Sequence, residues 1–247
     1  MTRTSRRTAV AAALATVAIG AGAAVAVAGG AGVPGECDGS GQAVAAAAGA
    51  VQGRGPAAGL GNGPGPGGRA GQAGLAGIPP AGTLSSAERA GILRMREEEK
   101  MARDVYLRLA RTSGNGVFTN IARSESQHMA TMRFLVDRYD LKDPVAGKAR
   151  GEFTSAAIQR LYDTSVASGA VDEVAALRTG ALIEEQDIAD LNTAIRRTNN
   201  ADLKTVYRRL RAASGNHLRA FTRQLSQQGV VYTPQVLSPS LYSAYVR

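Results

Sequence analysis

Two histidines occur in the 247 residues, and one of them, His128, follows Glu125 by three positions in "ESQH". Carboxylate and imidazole are the side chains suited to iron or manganese. On a helix, residues i and i+3 are offset by roughly 60° and rise about 4.5 Å, so Glu125 and His128 reach neighbouring points in a core. Taken alone the pair is also what a wet helix face carries. His217 taken alone fits a hydrogen-bonded core histidine.

The phase of the apolar residues adds to both. Side chains at i, i+3, i+4 and i+7 share one face of a helix. One stripe runs Ile92, Met95, Glu99, Ala102, Tyr106, Leu109, and a second Ile121, Glu125, His128, Met132, Leu135. A third runs Leu177, Ala181, Glu184, Ile188, Leu191, Ile195, and a fourth Leu203, Val206, Leu210, Ala213, His217 and then Ala220 or Phe221. Every stripe carries a potential metal ligand in its middle. Buried carboxylates are costly unless paired, and three facing one core repel each other unless positive charge lies between them. One or two divalent cations supply it. Glu97 and Glu98 fall off the stripe and read as solvent-facing partners of arginines. Glu184 is preferred to Glu185 on phase alone.

These stripes require long helices. "TLSSAERAGILRMREEEKMARDVYLRLARTSGNG" has capping serines, Glu88 in an early turn and Gly114 at its close, which predicts a helix of about 28 residues. A second is predicted from near Thr119 to before Pro144, and a short one over about Thr154–Ala167. The third and fourth long helices follow in "VDEVAALRTGALIEEQDIADLNTAIRRT" and "ADLKTVYRRLRAASGNHLRAFTRQLSQQG". The tail, 230–247, contains two prolines and three tyrosines and reads as extended chain against the bundle. No strand pattern competes. Four long helices with one longer connection suit a four-helix bundle with a crossover.

The first third of the chain is of another kind. Arg3, Arg6 and Arg7 precede an uncharged Ala/Val-rich run ending in Ala26-Val27-Ala28, the grammar of a secretory signal peptide over 1–28. Ser5-Arg6-Arg7 is a partial match to the twin-arginine signal. Residues 29–82 are mostly Gly, Ala and Pro and read as a flexible linker, with the helical domain over 83–229. Export to the cell envelope or the medium follows, with no membrane span left after cleavage. Cys37 is the only cysteine, so no intrachain disulfide forms. The formal charge of +9 includes three signal arginines, leaving 9 − 3 = +6 on a mature chain. Its basic residues are interleaved with acids and no aromatic stacking platform is present, which argues against nucleic acid as a partner.

The motifs "EKMARDVY", "ESQH", "GALIEEQDIADL" and "SGNHLRAF" together resemble the ferritin-like superfamily of di-iron carboxylate bundles, over about Leu84 to Gln228. They are similar in particular to an exported bacterial ferritin-like family catalogued as a domain of unknown function. In the superfamily pattern two helices each give a Glu and two give Glu-x-x-His. The resemblance implies Glu99, Glu125, His128, Glu184 and His217 as metal ligands, Tyr106 as a neighbour of the ligands, and one or two iron ions or manganese. It implies redox chemistry with oxygen or peroxide, such as ferrous-iron oxidation, and is compatible with a homodimer. The sequence departs from the pattern at Ser214, which stands three before His217 where a Glu is expected. Asp187, one turn after Glu184, is the candidate replacement. Two other readings stay open: a metal-buffering module without turnover, and a purely structural bundle.

Overall fold

The computed structural model describes residues 77–247. The expected signal peptide, most of the expected linker and Cys37 lie outside the described residues.

Helix α1, Ser86–Ser113, starts at a reciprocal cap: the Ser85 hydroxyl accepts from the Glu88 N–H, and the Glu88 carboxylate accepts from the Ser85 N–H. It stops at Gly114, whose φ of 68° suits a residue without Cβ. Asn115 then caps α2, Gly116–Arg138, by accepting from the Val117 N–H. This cap sets the start of α2 three residues earlier than the apolar pattern suggests. A link of so few residues folds α1 and α2 into a hairpin. The chain continues through α3, Ala156–Gly169, to α4, Glu173–Arg197, capped by Asp172. After three residues it enters α5, Ala201–Gln227.

The domain is all-α: six helices and no strand among the described residues. The sixth corrects the expectation of a wholly extended tail. Residues after Gln227 do run without helix, but Ser238 caps α6, Pro239–Val246, with proline in its first turn. Proline there lacks only an N–H that the helix would leave unpaired. α1 pairs with α2 and α4 with α5; α1 also faces α4, and α2 faces α5. α3 packs on α1 and α4, and α6 on α5. No helix among the described residues is long and apolar enough to cross a membrane.

The core is in two parts. One gathers Tyr106, Leu109, Phe118, Leu177, Leu218 and Phe221; the other gathers Ile92, Met95, Met132, Leu135, Leu191 and Leu203. Along α1, α2 and α5 the residues between these parts are polar, and on α4 Glu184 lies within the first part, between Ile183 and Ile188. On three of the four long helices the polar residues thus separate the two apolar parts. Gly180 lies against the first part: a Cβ there would lie 2.6 Å from the Phe221 ring, so only glycine permits this approach of α4 to α5.

The long connection between α2 and α4 is fixed from α1 by buried charge. Arg96 pairs with Asp143 and donates to the Met129 carbonyl. Lys100 pairs with Asp104 at 2.6 Å, donates to the Ala149 carbonyl and lies over the Phe153 ring. Glu97 accepts from the N–H groups of Thr154 and Ser155, at 2.6 and 3.0 Å, at the start of α3. Glu97 and Glu98 are therefore both buried, contrary to the solvent-facing reading. Glu98 does pair with an arginine, Arg94, as expected. Phase could not reveal Glu97, because α3 covers a side of α1 that the main stripe leaves free.

Candidate metal centre

The polar layer joins five ionisable residues from four helices. α1 contributes Glu99, α2 contributes Glu125 and His128, α4 contributes Glu184 and α5 contributes His217, all buried. They form two triads, Glu99–Glu125–His128 and Glu125–Glu184–His217, and within each the ligand-type atoms lie within 4.8 Å of one another. Glu125 belongs to both. Its Oε2 is 2.8 Å from His128 Nδ1 and its Oε1 is 2.8 Å from His217 Nδ1. His128 Nδ1 lies 3.2 Å from Glu99 Oε2, and His217 Nδ1 3.5 Å from Glu184 Oε1. The imidazole rings stack, with centroids 5.3 Å apart.

The fit of a cation can be judged from the atoms left without partners. Among the described residues, Glu99 Oε1, Glu125 Oε1 and His217 Nδ1 are buried and have no hydrogen-bond partner. Glu125 Oε1 and His217 Nδ1 are close, yet misaligned for hydrogen bonding to each other. Two ligands about 2.1 Å from one ion and at right angles stand about 3 Å apart. The spacings of 2.8 to 3.5 Å are of that size. A buried polar atom without a partner costs about 1–3 kcal/mol, and an ion between such atoms removes that cost.

The carboxylates and imidazoles shift one another's protonation. Burial opposes charge on His128, but Glu125 and Glu99 raise its pKa well above the usual value. His217 is pushed up to about 10, burial again being overcome by Glu184 and Glu125. Burial would raise Glu125 too, yet the two imidazoliums hold it well below the usual carboxylate range. Glu99 is pushed up to about 8 by burial, with His128 only partly compensating. Burial and the charge of Glu125 raise Glu184 despite His217.

Around the triads stand three polar neighbours. The Tyr106 hydroxyl donates to Glu184 Oε1 at 2.6 Å. Ser124 Oγ lies 2.9 Å from His217 Nε2. Ser214 donates to Asp187 Oδ2 at 2.5 Å, and its oxygen is also 3.0 Å from the Leu210 carbonyl. Asp187 lies outside both triads but near them: after burial, Glu99 and Glu184 are the groups that raise its pKa most. The layer therefore brings together Glu99, Glu125, His128, Glu184 and His217, with Tyr106 against it and Asp187 at its edge. Ser124 was not singled out from the sequence. Its place one residue before Glu125, on the side of α2 facing α5, is the signal that a known helix pairing would have exposed.

Glu185 shows why the choice between neighbouring carboxylates fell to Glu184. It is fully buried but turned to the tail, accepting from the Tyr232 hydroxyl at 2.6 Å and from the N–H groups of Gln235, Val236 and Leu237.

Fold and layer together define an all-α bundle with a buried carboxylate–imidazole cluster, a candidate metal site. The model of the uncharacterized protein domain DUF2202 matches residues 88–247, and the chain belongs to that family. It is 43% identical over 167 residues to the uncharacterized protein MJ0754 of Methanocaldococcus jannaschii, covering 68% of this chain and 90% of that one. The crystal structure of hypothetical protein MJ0754 from Methanococcus jannaschii DSM 2661 superposes with a TM-score of 0.67, covering 68% of this chain and 95% of that chain.

Proposed function

We propose that the protein is an exported ferritin-like bundle whose polar layer binds two iron ions, or manganese, and supports redox chemistry with oxygen or peroxide. The observation that carries the proposal is the division of Glu125 between two histidines, one per oxygen, in the manner of a bridging carboxylate. Glu99 and His128 complete one position, and Glu184 and His217 the other. Asp187 is the carboxylate that stands in for the Glu absent at Ser214. The two apolar core segments on either side keep the layer dry, which strengthens electrostatic attraction for a cation. Bound iron would supply one-electron chemistry toward oxygen; the chain supplies ligand geometry and exclusion of water. Tyr106 orients Glu184 through its hydroxyl.

The reading is tested by adding ferrous iron to the full chain under air and following oxygen. Uptake above the buffer rate, abolished in Glu125→Ala, supports oxidation. Metal binding without such uptake supports a second reading, a metal-buffering module. The observation in its favour is that α5 carries Ser214 in place of a carboxylate.

A further inference from the structure

The two triads have alike ligand sets, two carboxylates and one imidazole with Glu125 in common, but unlike surroundings. In the Glu125–Glu184–His217 triad each unshared ligand is held from behind. Ser124 Oγ is 2.9 Å from His217 Nε2, and the buried Tyr106 hydroxyl is 2.6 Å from Glu184 Oε1. In the Glu99–Glu125–His128 triad neither unshared ligand has such support. Among the described residues Glu99 Oε1 has no hydrogen-bond partner, and His128 makes its polar contacts through Nδ1, to Glu99 and Glu125.

Outer partners matter because they fix the ring orientation and tautomer of a ligating histidine; losing one typically costs about 10–100-fold in metal affinity. A hydrogen bond at Nε2 leaves Nδ1 presented to the cluster, as ligation of His217 requires. Tyr106 fixes the Glu184 carboxylate in the same way. His128 and Glu99 must instead be ordered by the ion itself, at a cost in conformational entropy.

We infer that the two positions are filled in order: the Glu184–His217 position binds first and retains its ion, and the Glu99–His128 position binds second and exchanges. Ser124 and Tyr106 are the positioning residues that set this order. The inference rests on the two-ion reading above, and assigns the exchanging position as the one from which a substrate ion enters and leaves.

The test is titration of the full chain with Mn(II), followed by electron paramagnetic resonance of the free ion and by calorimetry. Two steps are expected for the natural chain, separated by about 10-fold or more in affinity. His128→Ala should delete the weaker step alone. Ser124→Ala and Tyr106→Phe should each weaken the tighter step by about 10–100-fold and leave the other within a few-fold. Ser124→Thr, which keeps the hydroxyl, should restore the natural profile, and thermal melting of each variant checks that it folds. Two indistinguishable steps in the natural chain would overturn the inference while leaving two-ion binding in place. So would equal weakening of both steps in Ser124→Ala. Absence of any binding would overturn the two-ion reading itself.

Discussion

Glu125 faces His128 with one carboxylate oxygen and His217 with the other, each at 2.8 Å, and so joins α2 to α5 across the polar layer. The same carboxylate supports the charge on both imidazoles in the ion-free protein. Replacing it with Gln should remove both metal positions at once, whereas Glu99→Gln should remove one. Leaving two buried imidazoles without their counter-charge should also destabilise the ion-free chain by about 3–5 kcal/mol, read from urea denaturation at neutral pH.

Ion binding should release protons. At pH 7 both histidines are held protonated, and Glu99, at about 8, is largely protonated as well. Two to three protons should therefore leave for each pair of ions bound, measurable with an indicator dye in weak buffer. The sign for folding is opposite to that for binding. His217 rises from 6.5 unfolded to about 10 folded, so its contribution to stability is full below 6.5 and fades as pH rises through 10. Metal affinity should instead increase with pH over that window, and the melting-temperature gain from added Mn(II) should be larger at pH 8.5 than at pH 6.5.

Much of this layer was legible in the stripes, because helix phase decides which residues face a core. All five residues of the triads fall on them, and Tyr106 follows by the same periodicity. What phase could not give were contacts made by other faces. Glu97 reads as surface charge, yet it is buried, with Lys100 and Asp104, by a connection whose path only tertiary packing determines. Glu185 was legible as a carboxylate one position off the stripe, but its four donors come from a tail some fifty residues later. Ser124 required knowing that α2 faces α5.

The tail depends on Glu185. Its carboxylate satisfies the Tyr232 hydroxyl and three consecutive backbone N–H groups. Glu185→Ala should free them, costing about 3 kcal/mol in stability. The amides of Gln235, Val236 and Leu237 should lose protection from hydrogen exchange, with α1 and α2 amides protected as before. Unchanged protection in the tail would mean that apolar packing alone holds it.

Ser214 and Asp187 should be exchangeable as a pair. The serine on α5 donates to the aspartate on α4 at 2.5 Å, and the proposed function gives that aspartate the role of a carboxylate that α5 lacks. Asp187→Ser should weaken metal binding by about 10-fold. Adding Ser214→Glu to that variant should recover the loss by returning the carboxylate to α5. Ser214→Glu in the natural chain should not strengthen binding, since it sets two carboxylates against each other in the layer.

The most direct test of the account is metal stoichiometry. The full chain, its His128→Ala and His217→Ala variants and Glu125→Ala are equilibrated anaerobically with ferrous iron, and separately with manganese, and bound metal is measured by equilibrium dialysis against a saturating free ion. The account predicts two ions per natural chain at saturation, one in each histidine variant and none in Glu125→Ala. Substoichiometric metal that neither histidine variant changes would contradict it.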